Sequence, residues 1–385
     1  MNSLRETIES SPRLRELMSA VAAGDRQPAP ESLAPARWDW QRVKQVLVVR
    51  LRSIGDAVLT TPSLIALRRY LPQARIDILL EERIAPVLEG FGEVDRVITI
   101  DGHSLLSRLR VARQLRATGY DVVYNLHGGT TATLLTRATG ARHRVGFAHY
   151  QYRRLHNHRA PSSVELWGTL KLHSVEQQLA LIGWTGVPVT DRPPTRLAVT
   201  TDAAAGVTEK LREIGVDGAR PFAVIHPSAS YLTKQWAVDK FARVAENLAG
   251  RGLASVAIAA PYEEPIIAAL IKESQARVAG LATLSLPEIT ALTARSRLFV
   301  GNDSGIAHIA AAAGAPSVVI FGSSNVTHWR PWTTRPNEIV REELPCQPCH
   351  GYFCAEFEKP ECIMRVPVER VMGAIDRVLR ESNNV

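Results

Sequence analysis

The strongest constraint on this chain is a rhythm that runs, breaks and restarts. A buried-strand run, QVLVVRL (45–51), leads into a short polar loop, RSIGD, and then a helical stretch, AVLTTPSLIALRRYLP. Two further strand runs, RIDILLEE (75–82) and VDRVITID (94–101), a helix around 104–118 and the strand YDVVYNLHG (120–128) continue it. After the Pro-rich break VPVTDRPPTRLAV (187–199) the order resumes with PFAVIHPSAS (221–230), VDKFARVAENLAGRG (238–252), ASVAIAAPYEE (254–264) and LFVGNDSGIAHIAAAAGAPSVVIFG (298–322). Alternating apolar strands and amphipathic helices bury both faces as a parallel sheet wrapped by helices. The expected fold class is α/β, with two Rossmann-like doubly wound domains facing a central cleft. In that arrangement every loop that follows a strand opens at one crevice.

The expected boundaries are a helical arm and linker at 1–40, a first domain at 41–195 and a second at 196–365. The second carries a cysteine-rich loop at 345–362, and 366–385 forms a terminal helix expected to pack back toward the first domain. With 45% hydrophobic and 22% charged residues, the 385-residue chain has the make-up of a soluble globular protein. The charged N-terminal stretch MNSLRETIESSPRLRELM has no signal-peptide core, and no apolar run is long enough for a membrane span. A cytoplasmic location is expected, with peripheral contact at the inner membrane as an option. Net charge is +8, much of it in arginine clusters such as RVKQVLVVRLR, RHRVGF and YRRLHNHR. Such a surface favours phosphate-bearing partners or is simply a solvated face. No nucleic-acid-binding signature accompanies it, so nucleic acid is not an expected partner.

Four post-strand loops carry candidate chemistry. In the first, Gly55 suits a tight turn and Asp56 lies near a helix N-terminus, as a cap or as a general base for a hydroxyl nucleophile. The second, HPSASYLTKQW, offers Ser228, Ser230 and Lys234, the hydroxyls and cation that a diphosphate leaving group needs. The third places Glu263 where a carboxylate can accept the hydroxyls of a ribose, or where it is half of a surface acidic pair. The fourth is GNDSGIAH. There Ser304 and Gly305 open a helix whose free N–H groups face an anion, and small alanines let that helix lie against its sheet. Asp303, unfavourable against phosphate, is expected on a sugar hydroxyl or on Lys234. His308 is either a phosphate donor or a buried, satisfied histidine.

These segments, with the Cys-rich PCQPCHGYFC and ECI, resemble glycosyltransferase family 9, the lipopolysaccharide heptosyltransferases, over about residues 44–380. The resemblance implies a GT-B fold in which the first domain binds acceptor and the second binds sugar nucleotide. It implies inverting, metal-independent transfer of heptose from ADP-heptose to a lipopolysaccharide-core-type acceptor. Asp56 matches the proposed base, Lys234 the donor-phosphate lysine and Glu263, loosely, the ribose-binding glutamate. Asp303, Ser304, Gly305 and His308 match the donor-phosphate and sugar motif. Arg50, Arg52, Arg144 and Arg153 are then expected contacts to an anionic lipid-linked or saccharide acceptor. No cofactor is required for catalysis. The spacing of Cys346, Cys349, Cys354 and Cys362 allows a structural zinc or iron. The rival readings are a family member using another sugar nucleotide, a sugar-nucleotide epimerase of the same fold, and a non-catalytic basic surface-binding protein.

Overall fold

A computed structural model describes residues 29–349 and 352–383, so the helix expected at the start of the arm lies outside the described residues. Twelve strands form two six-stranded sheets. The first contains β1 (Gln45–Val49), β2 (Arg75–Glu81), β3 (Arg96–Ile100), β4 (Val122–Asn125), β5 (His143–Phe147) and β6 (His158–Ala160). The second contains β7 (Phe222–His226), β8 (Ala254–Ile258), β9 (Val278–Leu281), β10 (Leu298–Asn302), β11 (Ser317–Phe321) and β12 (Asn337–Arg341). Every pairing is parallel.

The strand orders are β3-β2-β1-β4-β5-β6 and β12-β11-β10-β7-β8-β9. Counted from its own first strand, each sheet has the 3-2-1-4-5-6 order of dinucleotide-binding folds. The order reverses between β1 and β4 in one sheet and between β7 and β10 in the other, and those two places hold the crevices. Strands β7, β10 and β11 are buried at every residue. Helices cover both faces of these strands, so nearly unbroken apolar runs replace the alternation of a half-exposed strand.

The first helical stretch is divided into Ile54–Val58 and Thr61–Tyr70. Pro62 sits in the first turn of the second piece, where its missing N–H costs nothing.

The terminal helix corrects the sequence expectation. Val368–Glu381 packs on the second sheet, not on the first domain. Val371, Ala374, Ile375 and Val378 recur at helical spacing and share a core with Ala223, Ile225, Val318 and Ile320. Each such burial contributes about 2 kcal/mol. The entry to the helix is fixed by Trp236 Nε1 donating to Val366 O at 3.0 Å. Ion pairs from Arg377 to Glu338 (2.5 Å) and from Arg370 to Glu342 (2.9 Å) hold its rim.

The arm also differs from a free linker. Leu33 N donates to Gly183 O at 3.1 Å, and buried Trp40 donates through Nε1 to Thr185 O at 3.0 Å. Residues 31–40 therefore belong to the packing of the first domain. The Pro-rich break is likewise fastened: Leu197 N donates to Ala312 O at 3.1 Å and Trp332 Nε1 to Pro193 O at 2.9 Å.

Candidate active site

The helices Ile54–Val58 and Gly305–Ala312 meet end to end where the two switch points face each other. Their contact is closer than side chains allow. A Cβ on Gly305 would lie 3.0 Å from Ile54 Cβ and 3.2 Å from Gly55 N. A Cβ on Gly55 would lie 2.8 Å from the His308 ring. Glycine at both positions lets the two halves close on one cavity of about 560 Å³.

Ser53, Gly55 and Asp56 line it from the first half; Ser230, Lys234, Asp303, Ser304, Gly305 and His308 line it from the second. Asp56 is the third residue of its helix and both caps it and faces the cavity. Its carboxylate accepts from Ser53 N at 3.1 Å and Ser53 Oγ at 3.3 Å, and pairs with Arg50 Nη2. Arg50 also donates to Leu126 O, so this guanidinium fixes the carboxylate between two strand ends.

Opposite, Lys234 Nζ lies 2.8 Å from Asp303 Oδ2, and Ser324 Oγ donates to the same oxygen at 2.5 Å. Of the two positions expected for Asp303, the one on Lys234 is observed. Ser304 caps the Gly305–Ala312 helix by accepting from Ala307 N, and its hydroxyl lies 3.3 Å from His226 Nδ1. His308 is buried, and burial pushes its pKa down, leaving a neutral ring. Its Nδ1 has no hydrogen-bond partner, so the ring is buried but unsatisfied at the edge of a polar cavity. Such a group is where a ligand contact is expected.

Two expected donor residues lie outside this lining. Ser228 is buried and donates to the Glu263 carboxylate, which also accepts from Ala260 N at 3.0 Å. Glu263 thus caps its own turn and locks the β7 and β8 loops together.

Of the expected acceptor arginines, Arg52 lines a second cavity of about 300 Å³, with Leu51, Glu81, Gly102, His103, Arg108 and His127. It adjoins the first through the loop 51–56. The His127 pKa is pushed down to about 4, by burial and then by Arg50. Arg153 is exposed in the turn after β5 and lines neither cavity. Arg144 is not brought to either: it donates to Ala141 O at 2.6 Å and Leu155 O at 3.2 Å. Its place in the amino half of β5 is the physical reason, because a parallel sheet binds ligands at carboxyl ends.

The sequence reading missed several lining residues: Tyr231, Ser323, Ser324, Asn325, Trp329, Cys349 and Tyr352. Ser323, Ser324 and Asn325 follow β11 directly, so the post-strand rule applied to a fifth loop finds them. Asn302 lies at the end of β10, just ahead of Asp303. Its amide donates to Pro227 O at 2.8 Å and accepts from Trp236 N at 3.1 Å, tying the β10 and β7 loops. Tyr352 reaches the cavity by stacking edge-on against Tyr231 at 4.4 Å, a contact no local pattern announces.

The four cysteines are free thiols, and Cys349 N donates to Ser323 O at 3.0 Å. Burial and the neighbouring thiols push Cys362 up to about 11. Among the described residues no group of three or more His, Cys, Asp or Glu side chains is set to hold a metal ion.

The family model for glycosyltransferase family 9 (heptosyltransferase) matches residues 108–359. Lipopolysaccharide heptosyltransferase 3 of Escherichia coli (strain K12) is 30% identical over 349 residues, covering 86% of this chain and 97% of that protein. The crystal structure of the family 9 glycosyl transferase from Veillonella parvula DSM 2008 superposes with a TM-score of 0.79 at 20% identity, over 90% of this chain and 99% of that one. Escherichia coli ADP-heptose lps heptosyltransferase II gives 0.72 at 23% identity, over 88% and 99%. The chain, with its paired switch points and shared cleft, belongs to glycosyltransferase family 9, the heptosyltransferases.

Proposed function

We propose that this cleft transfers a heptose, with inversion, from ADP-heptose to a hydroxyl of a lipopolysaccharide-core-type acceptor. The observation that carries the reading is the convergence of Asp56 with Lys234, Asp303, Gly305 and His308 on one cavity. The acceptor enters over the smaller, arginine-bearing cavity of the first half; the diphosphate rests against the second. Asp56 takes the proton as the acceptor oxygen attacks the anomeric carbon. The bond from that carbon to the β-phosphate oxygen breaks, and its electron pair leaves on ADP. The Lys234 ammonium and the N–H groups at the start of the Gly305–Ala312 helix receive that charge. Arg50 orients the carboxylate, and neutral His308 offers a hydrogen bond without adding charge.

No step is routed through a metal. Cys346, Cys349, Cys354 and Cys362, whose thiols lie close enough to influence one another, would be the ligands of a structural zinc or iron, which elemental analysis of the purified protein tests. Names of the relatives support heptose as the sugar. No helix among the described residues is long and apolar enough to cross a membrane. A lipid-linked acceptor would be met at the cytoplasmic surface of the inner membrane.

The test is incubation with ADP-heptose and a heptose-deficient core acceptor, with product read by mass, beside thermal-shift binding of ADP, UDP and GDP. ADP selectivity and a heptose mass increment are expected. Hydrolysis or isomerisation of donor without transfer would overturn the reading.

A further inference from the structure

The outer face of the helix Leu105–Thr118 is not explained by packing. Its inward residues, Ser107, Val111 and Leu115, are buried. Its first two turns expose Leu105 (71%), Leu106 (79%) and Leu109 (55%) to solvent. Leu134, on the neighbouring helix Thr130–Ala138, is 55% exposed as well. Isolated exposed leucines are ordinary, but three within five residues on one helical end are not. Behind them come Arg110, Arg113 and Arg116 on the exposed side, and the helix contains no carboxylate. Apolar side chains beside arginines, with no acidic residue, are the make-up of a surface that enters an anionic bilayer interface.

Position gives this composition a purpose. The helix starts just beyond the carboxyl end of β3, on the same side of the sheet as the cleft. Gly102, His103 and Arg108, from its leading loop and first turns, line the smaller cavity. The leucines therefore flank the mouth of the cavity assigned above to the acceptor.

We propose that Leu105, Leu106 and Leu109, with Arg110 and Arg113, form a docking face for an anionic lipid surface that holds this mouth at the bilayer. The link to the acceptor rests on the transferase reading; the docking itself does not. Leucine side chains immerse among the acyl chains while guanidinium groups meet phosphate headgroups. A protein surface would leave the arginines without complementary charge unless it were acidic, and this chain is itself strongly basic.

The experiment uses the full-length protein with two kinds of vesicle, pure phosphatidylcholine and one containing roughly 30% phosphatidylglycerol. Sedimentation is expected to show partitioning onto the anionic vesicles about tenfold above the neutral ones. Combined Leu105→Ser, Leu106→Ser and Leu109→Ser should lower that partitioning about tenfold with an unchanged unfolding midpoint, since the side chains are exposed. Arg110→Glu with Arg113→Glu should remove the preference for anionic lipid. Transfer to an acceptor embedded in vesicles should fall with the leucine variants, while transfer to its delipidated, water-soluble form should not. Wild-type protein that ignores anionic vesicles, or leucine variants that bind them equally, would overturn the proposal. A wild-type dimer dissolved by the leucine changes would overturn it too, by assigning the patch to a second copy. Vesicle binding without transfer to either acceptor would uphold the docking face and refute the transferase reading.

Discussion

The helices that meet across the cleft follow different strands of two sheets of the same strand order, the first strand in one and the fourth in the other, each beside its sheet's switch point, and they do opposite things. Ile54–Val58 follows β1, Gly305–Ala312 follows β10, and each has a serine at its N-cap and an early glycine. The first is capped by its own carboxylate, Asp56, which fills its amino end with negative charge. The second is capped by the Ser304 hydroxyl and sits beside Lys234. In the proposed reaction one amino end takes up a proton and the other an anion. A displacement needs both kinds, and the fold supplies them at turns that follow the two different strands beside its switch points.

The sharpest way to break this contrast is Asp56→Asn, which keeps the shape of the cap and removes the proposed base. Transfer should fall by about a thousandfold, with ADP affinity by calorimetry unchanged within about twofold. Next in size is Lys234→Ala, which strands the Asp303 carboxylate, only 5% exposed, without its cation. A stability loss of about 2 kcal/mol by urea unfolding and weaker ADP binding are expected, and Asp303→Asn in the same chain should restore part of the stability. Gly305→Val then tests the contact itself. A side chain there would have to displace Ile54, at a cost of about 1–3 kcal/mol and with loss of turnover.

The effect that is smallest for each group and each pH unit is common to both halves. The His127 and His226 pKa values are each lowered to about 4, chiefly by burial. Unfolded histidine titrates near 6.5, so between the two values the unfolded chain binds protons that the folded chain does not. Stability should therefore be fully retained above about pH 6.5 and decline as pH falls toward about 4, by about 1 kcal/mol per unit for a fully buried group. Unfolding midpoints measured from pH 7 to pH 5 check the sign.

Much of the fold is legible in the sequence because central parallel strands write themselves as unbroken apolar runs: QVLVV, FAVIH, LFVGN. The outer strands do not. His143–Phe147, next to the edge of its sheet, and Asn337–Arg341, at the edge of the other, carry charge at their ends, and RHRVGF read as a basic surface cluster where it is a strand. The direction of the last helix was missed because amphipathicity reveals that a stripe will be buried, not which face it will meet. At the site, Asp56, Lys234, Asp303, Ser304, Gly305 and His308 follow from their places after strands and ahead of helices. Arg144 did not, because the count of basic residues carries no information about which end of a strand they occupy. Tyr352 and Cys349 come to the cavity from a loop more than a hundred residues downstream of the Lys234 turn, a closure only tertiary packing determines.

The apolar interior is also instructive. A single contiguous set of buried side chains runs from Val46 and Val48 through Leu197 and Ala203 to Phe222 and Val224. Severing the chain at the proline-rich crossing would lay open an oily wall on each fragment. The two lobes are therefore expected to melt as one calorimetric transition, and a graft of either lobe onto a foreign mate would need its seam redesigned before any change of substrate could be attempted.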